Sequence, residues 1–178
     1  MNITYELLLN KMPDGYSACL EGLEWFTNEF GEDDNGVEWR QAFNACDNEQ
    51  WIAWFVASYV NPDIREQLAC LITVKAIKML SLETGKEYKG YENNLLPSQL
   101  DDCLSICEND VSDTGYFIDN IIRNALYSNN NAYHIGNSVI LLYSLERTIR
   151  GDALMVTRDL RQWVREAATA ALEIHLGE

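Results

Sequence analysis

The sequence predicts an all-α protein, a single compact multi-helix bundle of about seven to nine helices spanning residues 1–178 as one domain. Apolar residues recur every three or four positions along most of the chain. Helix-capping residues stand at the head of such runs, at Asp47, Asn61, Ser98 and Ser112. Only three prolines, Pro13, Pro62 and Pro97, interrupt 178 residues. No stretch alternates apolar and polar residues between turn signals, as a strand would. The apolar run Val139 to Tyr143 comes nearest, but it lies inside helical sequence.

Taken in order, Ile3 to Lys11 reads as a short helix stopped by Pro13 and Gly15. Tyr16 to Phe30 is a second, with Cys19, Leu23, Phe26 and Phe30 on one side and Gly31 as its stop. Val37 to Cys46 places Trp39, Phe43 and Cys46 together. Asp47, with Gln50 three residues on, forms a capping box for a helix to about Val60. That helix carries aromatics on several faces, so it is expected to be central, with Trp51 and Trp54 either buried or one of them a surface anchor. Asn61-Pro62 is a cap followed by proline at the first helical position. The helix it opens runs to about Glu83, with Ile64, Leu68, Leu71, Ile72, Met79 and Leu80 inward and Gly85 as its end.

Lys86 to Pro97 is the longest loop. Ser98 is expected to cap a helix to about Glu108, and Ser112 another to about Tyr127. After an asparagine-rich turn, Ala132 to Arg150 and Asp152 to Leu176 form two long closing helices around Gly151. In the last, Val156, Leu160, Trp163, Ala167, Ala170 and Ile174 form one stripe. Arg158, Arg161 and Arg165 lie opposite, either solvated or paired with acids elsewhere in the molecule.

The formal charge is −15, from 28 acidic and 13 basic residues. Such a surface repels phosphate backbones and favours basic partners, so direct nucleic-acid binding is not expected. The first 50 residues hold 11 acids and 2 bases, most of the excess. Hydrophobic residues make up 47%, enough for a sizeable core. The five cysteines have no finger-like spacing. Met1 to Asn10 lacks a basic leader, so free thiols in a reducing cytoplasm are expected. The longest uncharged stretches are interrupted by asparagines, and no membrane span is expected.

The residues Ala18-Cys19, Gly22, Trp25-Phe26, Trp39, Ala42, Cys46, Trp51, Trp54, Arg65 and Ala69-Cys70 form a succession. Over residues 16–80 it resembles a pattern in uncharacterised small all-helical phage and bacterial proteins, some carrying an immunity-protein label. The resemblance implies a helical fold and a phage or mobile-element setting. It implies no catalytic residues.

Motifs of chemistry are missing from the sequence. It has no nucleophile elbow, phosphate loop, zinc-protease helix or dinucleotide fingerprint. Cys103 and Cys107 share a helix face and could supply half a zinc site, but core packing is the preferred reading. His134 and His175 read as surface or capping residues. No cofactor or metal is expected, and the protein is not expected to be an enzyme. The acidic set remains: Glu21, Glu24, Glu29, Glu32, Asp33, Asp34 and Glu38 are the candidate partner-binding residues. Carboxylates on rigid helices can copy the phosphates of DNA and occupy a basic groove. Otherwise they are a solvated face. The expected function is an inhibitor of a host nucleic-acid-binding defence protein, by nucleic-acid mimicry or steric blocking. The alternatives are an immunity-type protein that neutralises a toxin, and a helical enzyme or regulator without a recognisable motif. A homodimer through the arginine face is a further expectation. Charge reversal at Glu32, Asp33, Asp34 and Glu38 is expected to spare the fold.

Overall fold

The computed structural model describes residues 1–10, 12–13, 17–32, 35–86, 95–104, 112–128, 131–151 and 156–178. Among these, 77% are helical, in nine α-helices packed against one another.

The chain begins in a ribbon. Asn2–Ile3 (β1) pairs antiparallel with Val37–Glu38 (β2), Ile3 opposite Val37. Gly36 permits this closure: its φ is 63°, and a Cβ there would collide with the Ile3 carbonyl. The ribbon shortens both helices predicted around it. The first becomes α1, Tyr5–Leu9, with the Thr4 hydroxyl accepting from the Leu7 N–H at 3.0 Å. The third becomes α3, Trp39–Ala45, with the Glu38 carboxylate accepting from the N–H groups of Arg40 and Gln41 at 2.9 and 3.3 Å. Between them α2 spans Leu20–Phe30 and ends at Gly31, φ 78°. It starts later than expected because Cys19 is extended, at ψ 160°. Tyr16 lies outside the described residues.

Helix α4, Glu49–Tyr59, is capped by Asn48 and not by Asp47. The Asn48 Oδ1 accepts from the Trp51 N–H at 3.2 Å, which leaves Asp47 exposed. The cap at Asn61 is as predicted: its Oδ1 accepts from the Ile64 N–H at 3.0 Å, Pro62 opens α5 (Pro62–Thr84), and Gly85 closes it in the left-handed conformation. Ile64, Leu68, Ile72 and Leu80 are buried, but Leu71 is 48% exposed. The Ser98 cap does not form. Pro97–Gln99 is a 3-10 turn leading into α6, Leu100–Cys103, and the Gln99 side chain accepts from the Leu96 N–H at 3.0 Å. The predicted extension to Glu108 and most of the Lys86–Pro97 loop fall outside the described residues.

Ser112 caps α7, Asp113–Tyr127, accepting from the Gly115 N–H at 3.2 Å. Helix α8, Tyr133–Arg150, ends at Gly151. Helix α9, Arg158–Leu176, starts later than Asp152, after the cap residue Thr157. Its buried face is Leu160, Val164, Ala168, Ala171 and Leu172. The predicted stripe is therefore displaced: Ala170 and Ile174 are exposed, and Trp163 and Ala167 only half-buried. The two apolar series lie side by side on a 3.6-residue helix. The body chose the one nearer the arginines.

In the body, α7 and α8 form the closest pair. Helix α4 lies against α8 and α9, and α5 against α7, α8 and α9. The core is continuous across them, with Ile77, Ile118, Ile121, Ile135, Val139 and Leu145 fully buried. Helices α2 and α3 meet α4 through aromatic rings, and α1 lies against α2. Phe43 meets Phe55 edge-on at 5.9 Å, and Trp25 lies 6.1 Å from Trp51.

Candidate functional site

The acidic residues singled out by the sequence divide into two kinds. Glu21, Glu24 and Glu29 are exposed on α2, opposite its buried Leu23 and Phe26. Glu32 is exposed just past the helix end. None of these four pairs with a cation among the described residues. Glu38 is employed inside the fold: it caps α3 and lies 3.7 Å from Arg40. Arg40 also reaches Glu173 at 3.3 Å and Glu178, and its guanidinium lies 4.2 Å from the Trp39 ring. Reversing the charge of Glu38 would thus remove a helix cap, contrary to the expectation that it is a neutral surface position. Asp33 and Asp34 lie outside the described residues.

A second acid, Glu49, is buried at 6% exposure. Burial of a lone carboxylate is costly, so it gathers partners. Arg165 lies at 3.2 Å and Arg161 at 3.7 Å, and the Tyr143 hydroxyl donates to it at 3.4 Å. Burial first, then the neighbouring carboxylate, pushes the Tyr143 hydroxyl well above its ordinary range. Arg165 also donates to the Phe43 carbonyl, and to that of Cys46 at 2.7 Å. These carbonyls belong to the end of α3, where a cation suits the helix dipole. The cluster joins α3, α4, α8 and α9. Of the arginines expected to be either solvated or paired with acids elsewhere, Arg158 is exposed while Arg161 and Arg165 are paired.

A half-open cavity of about 320 Å³ lies between α2 and the body. Gly22, Trp25 and Phe26 of α2 form one wall. Trp51, Trp54 and Phe55 of α4 face them, and Phe43 of α3 closes an end. Tyr133 and Gly136 of α8 line the remaining side, Tyr133 standing 61% exposed at the rim. No charged side chain is among the described lining residues. Gln50 is half-buried in the wall, and its amide has no hydrogen-bond partner among the described residues. Trp51 and Trp54 are accordingly half-buried against a void. The sequence offered these rings as core; Gly22 and Gly136 beside them were the available signal of an open space.

Four of the five cysteines lie among the described residues, and all four are free thiols. Cys46, Cys70 and Cys103 are buried, and burial raises the pKa of each, to about 11 for Cys70 and about 12 for Cys103. Cys19 is exposed, which departs from a core role. Cys107 lies outside the described residues, so its pairing with Cys103 is not placed. The His134 Nδ1 donates to the Asn124 side-chain oxygen at 2.9 Å, and burial lowers its pKa. His175 sits in the last turn of α9, edge-on to Tyr59 at 5.6 Å. Among the described residues no three acidic, cysteine or histidine side chains gather as metal ligands, and no helix is long and apolar enough to cross a membrane.

Fold and site together define an all-helical protein with an acidic helix laid over an apolar cavity. No family model, curated protein or solved structure matches the chain.

Proposed function

We propose that this protein is a non-enzymatic interaction module whose acidic α2 face binds a basic protein partner. In its sharpest form it is a phage or mobile-element inhibitor of a host nucleic-acid-binding defence protein. The observation that supports this reading is the separation of the acids into two groups. Glu38 and Glu49 are bound up in the fold, whereas Glu21, Glu24, Glu29 and Glu32 are exposed without a cationic partner among the described residues. Carboxylates fixed on one helix face present a spaced array of negative charge, and a basic groove that accepts it releases counterions as it would for DNA. The phage or mobile-element setting is proposed from the sequence pattern of residues 16–80 alone. Self-association through the arginine face is less favoured, because Glu49 occupies Arg161 and Arg165.

The test is capture from host lysate at low and high salt, with the parent and with Glu21, Glu24, Glu29 and Glu32 changed together to Lys. A captured protein that is released by salt, lost in the variant and displaced by duplex DNA supports the reading. Capture of a toxin that DNA does not displace favours the immunity-type alternative. Capture that survives the four-site reversal unchanged overturns the role of α2.

A further inference from the structure

We propose that the cavity beneath α2 is a binding site for a small, neutral, flat aromatic molecule. This goes beyond the acidic-face reading and does not depend on it. At about 320 Å³ the space falls at the lower end of the range typical of small-molecule sites, about 300–1,000 Å³. Its walls are rings: Trp25, Trp51 and Trp54 with Phe26, Phe43 and Phe55. In a chain of net charge −15, the described lining contains no charged side chain, so an ionised ligand would lose its hydration without gaining a counter-charge. Of the polar lining residues, Gln50 has an amide without a hydrogen-bond partner among the described residues, a handle for a ligand N–H or carbonyl.

The cavity is held open by contacts outside it. Trp25 is braced edge-on by Phe30 at 5.8 Å and Phe43 by Trp39 at 5.3 Å, so neither ring is free to collapse inward. Gly22 and Gly136 remove side chains from two different walls, those of α2 and α8. A Cβ at either would meet only ordinary van der Waals contact, 3.4 Å from the Cys19 sulfur and 3.5 Å from the Trp54 Cβ. A methyl group would therefore fit at both positions. Their glycines leave volume that local packing does not require to be empty.

The experiment titrates the full chain with N-phenyl-1-naphthylamine, a neutral aromatic fluorophore, and with its sulfonated analogue 1-anilinonaphthalene-8-sulfonate. The five tryptophan indole N–H signals are followed by NMR. The expected result is saturable one-to-one binding of the neutral probe, at least about tenfold tighter than the sulfonate. The signals of Trp25, Trp51 and Trp54 should shift, with that of Trp163 unmoved. Gly22→Leu, and separately Gly136→Leu, fill the space from two different walls. Each should weaken the probe at least about tenfold while keeping the helical circular dichroism. The indole map of the parent decides even where a filled variant does not fold. Absence of saturable binding, or shifts that include Trp163, overturns the site. Unchanged affinity in a folded filled variant does the same. Equal affinity for the sulfonate overturns the selection for a neutral ligand.

Discussion

Arg165 of α9 reaches Glu49 at the start of α4 across 3.2 Å, 116 residues away in sequence, and the same guanidinium binds the carbonyls that end α3. One side chain thus compensates a buried carboxylate and a helix C-terminus at once. Removing Glu49 leaves the half-buried Arg165 with only the α3 carbonyls, and removing Arg165 leaves the buried Glu49 with only the more distant Arg161 and the Tyr143 hydroxyl.

Glu49→Ala should accordingly destabilise the protein by about 2–4 kcal/mol. Arg161→Ala should cost less than about 1 kcal/mol, since that side chain is 46% exposed and its charge is screened by solvent. Chemical denaturation of the two variants measures the difference. Equal costs would show that the exposed Arg161 matters to the pairing as much as Glu49 itself.

The buried thiols make stability fall at alkaline pH. Their folded pKa values, about 11 for Cys70 and about 12 for Cys103, stand above the ordinary 9.0. The neutral form is therefore favoured by folding. That contribution is present in full below pH 9.0 and is lost as pH rises toward the folded values. The double change Cys70→Ala, Cys103→Ala should lower the neutral-pH stability by about 1–2 kcal/mol per site and flatten the drop in Tm above pH 9.0. Identical alkaline slopes in parent and variant would rule out the thiols. In native alkylation mapped by peptide mass, Cys19 should react ahead of Cys46, Cys70 and Cys103.

Two caps predicted by the same sequence logic should differ in energy. Asn61→Ala removes a bond to the Ile64 N–H and should cost about 1 kcal/mol. Ser98→Ala should be neutral within about 0.5 kcal/mol, because Ser98 is exposed inside a 3-10 turn and caps nothing. Matching losses in thermal melts would restore Ser98 as a cap.

Glu38→Lys and Glu24→Lys make the same charge change with different consequences. The first removes the acceptor for the Arg40 and Gln41 N–H groups and should lower stability by about 1 kcal/mol. The second should stay within about 0.5 kcal/mol while weakening partner capture. If Glu38→Lys melts like the parent, its cap is dispensable.

The sequence was most informative where one residue decided the geometry alone. Asn61 before Pro62, Ser112 before Asp113, and Gly31, Gly85 and Gly151 at helix ends all act within a turn of themselves, and the structure has each in that role. It was less informative where two local solutions were nearly equal. Asp47 and Asn48 are both good caps, and only the position of Trp51 selects the second. The apolar series on α9 is doubled in the same way: Leu160, Val164, Ala168 and Leu172 are buried, while Ala170 and Ile174 are exposed. The candidate site was harder still to see. Periodicity marks Trp25, Trp51 and Trp54 as apolar and helical, but whether such rings meet or leave a gap depends on the height at which α2 crosses α4. No local rule contains that height.

The ribbon at the chain's start bears on the cavity without touching most of it. Ile3 opposite Val37, with the Asn2 side-chain amide donating to the Asn35 carbonyl at 2.9 Å and the Trp39 N–H to the Met1 carbonyl at 3.1 Å, cinches residues 4–36 into a loop. Helix α2 lies within that loop, with Leu23 and Phe26 buried. Untying the knot, by deleting residues 1–3 or placing a side chain at Gly36, would release the slack that the closed loop withholds. The backbone amides of α2 should then exchange with solvent before those of α7 or α8.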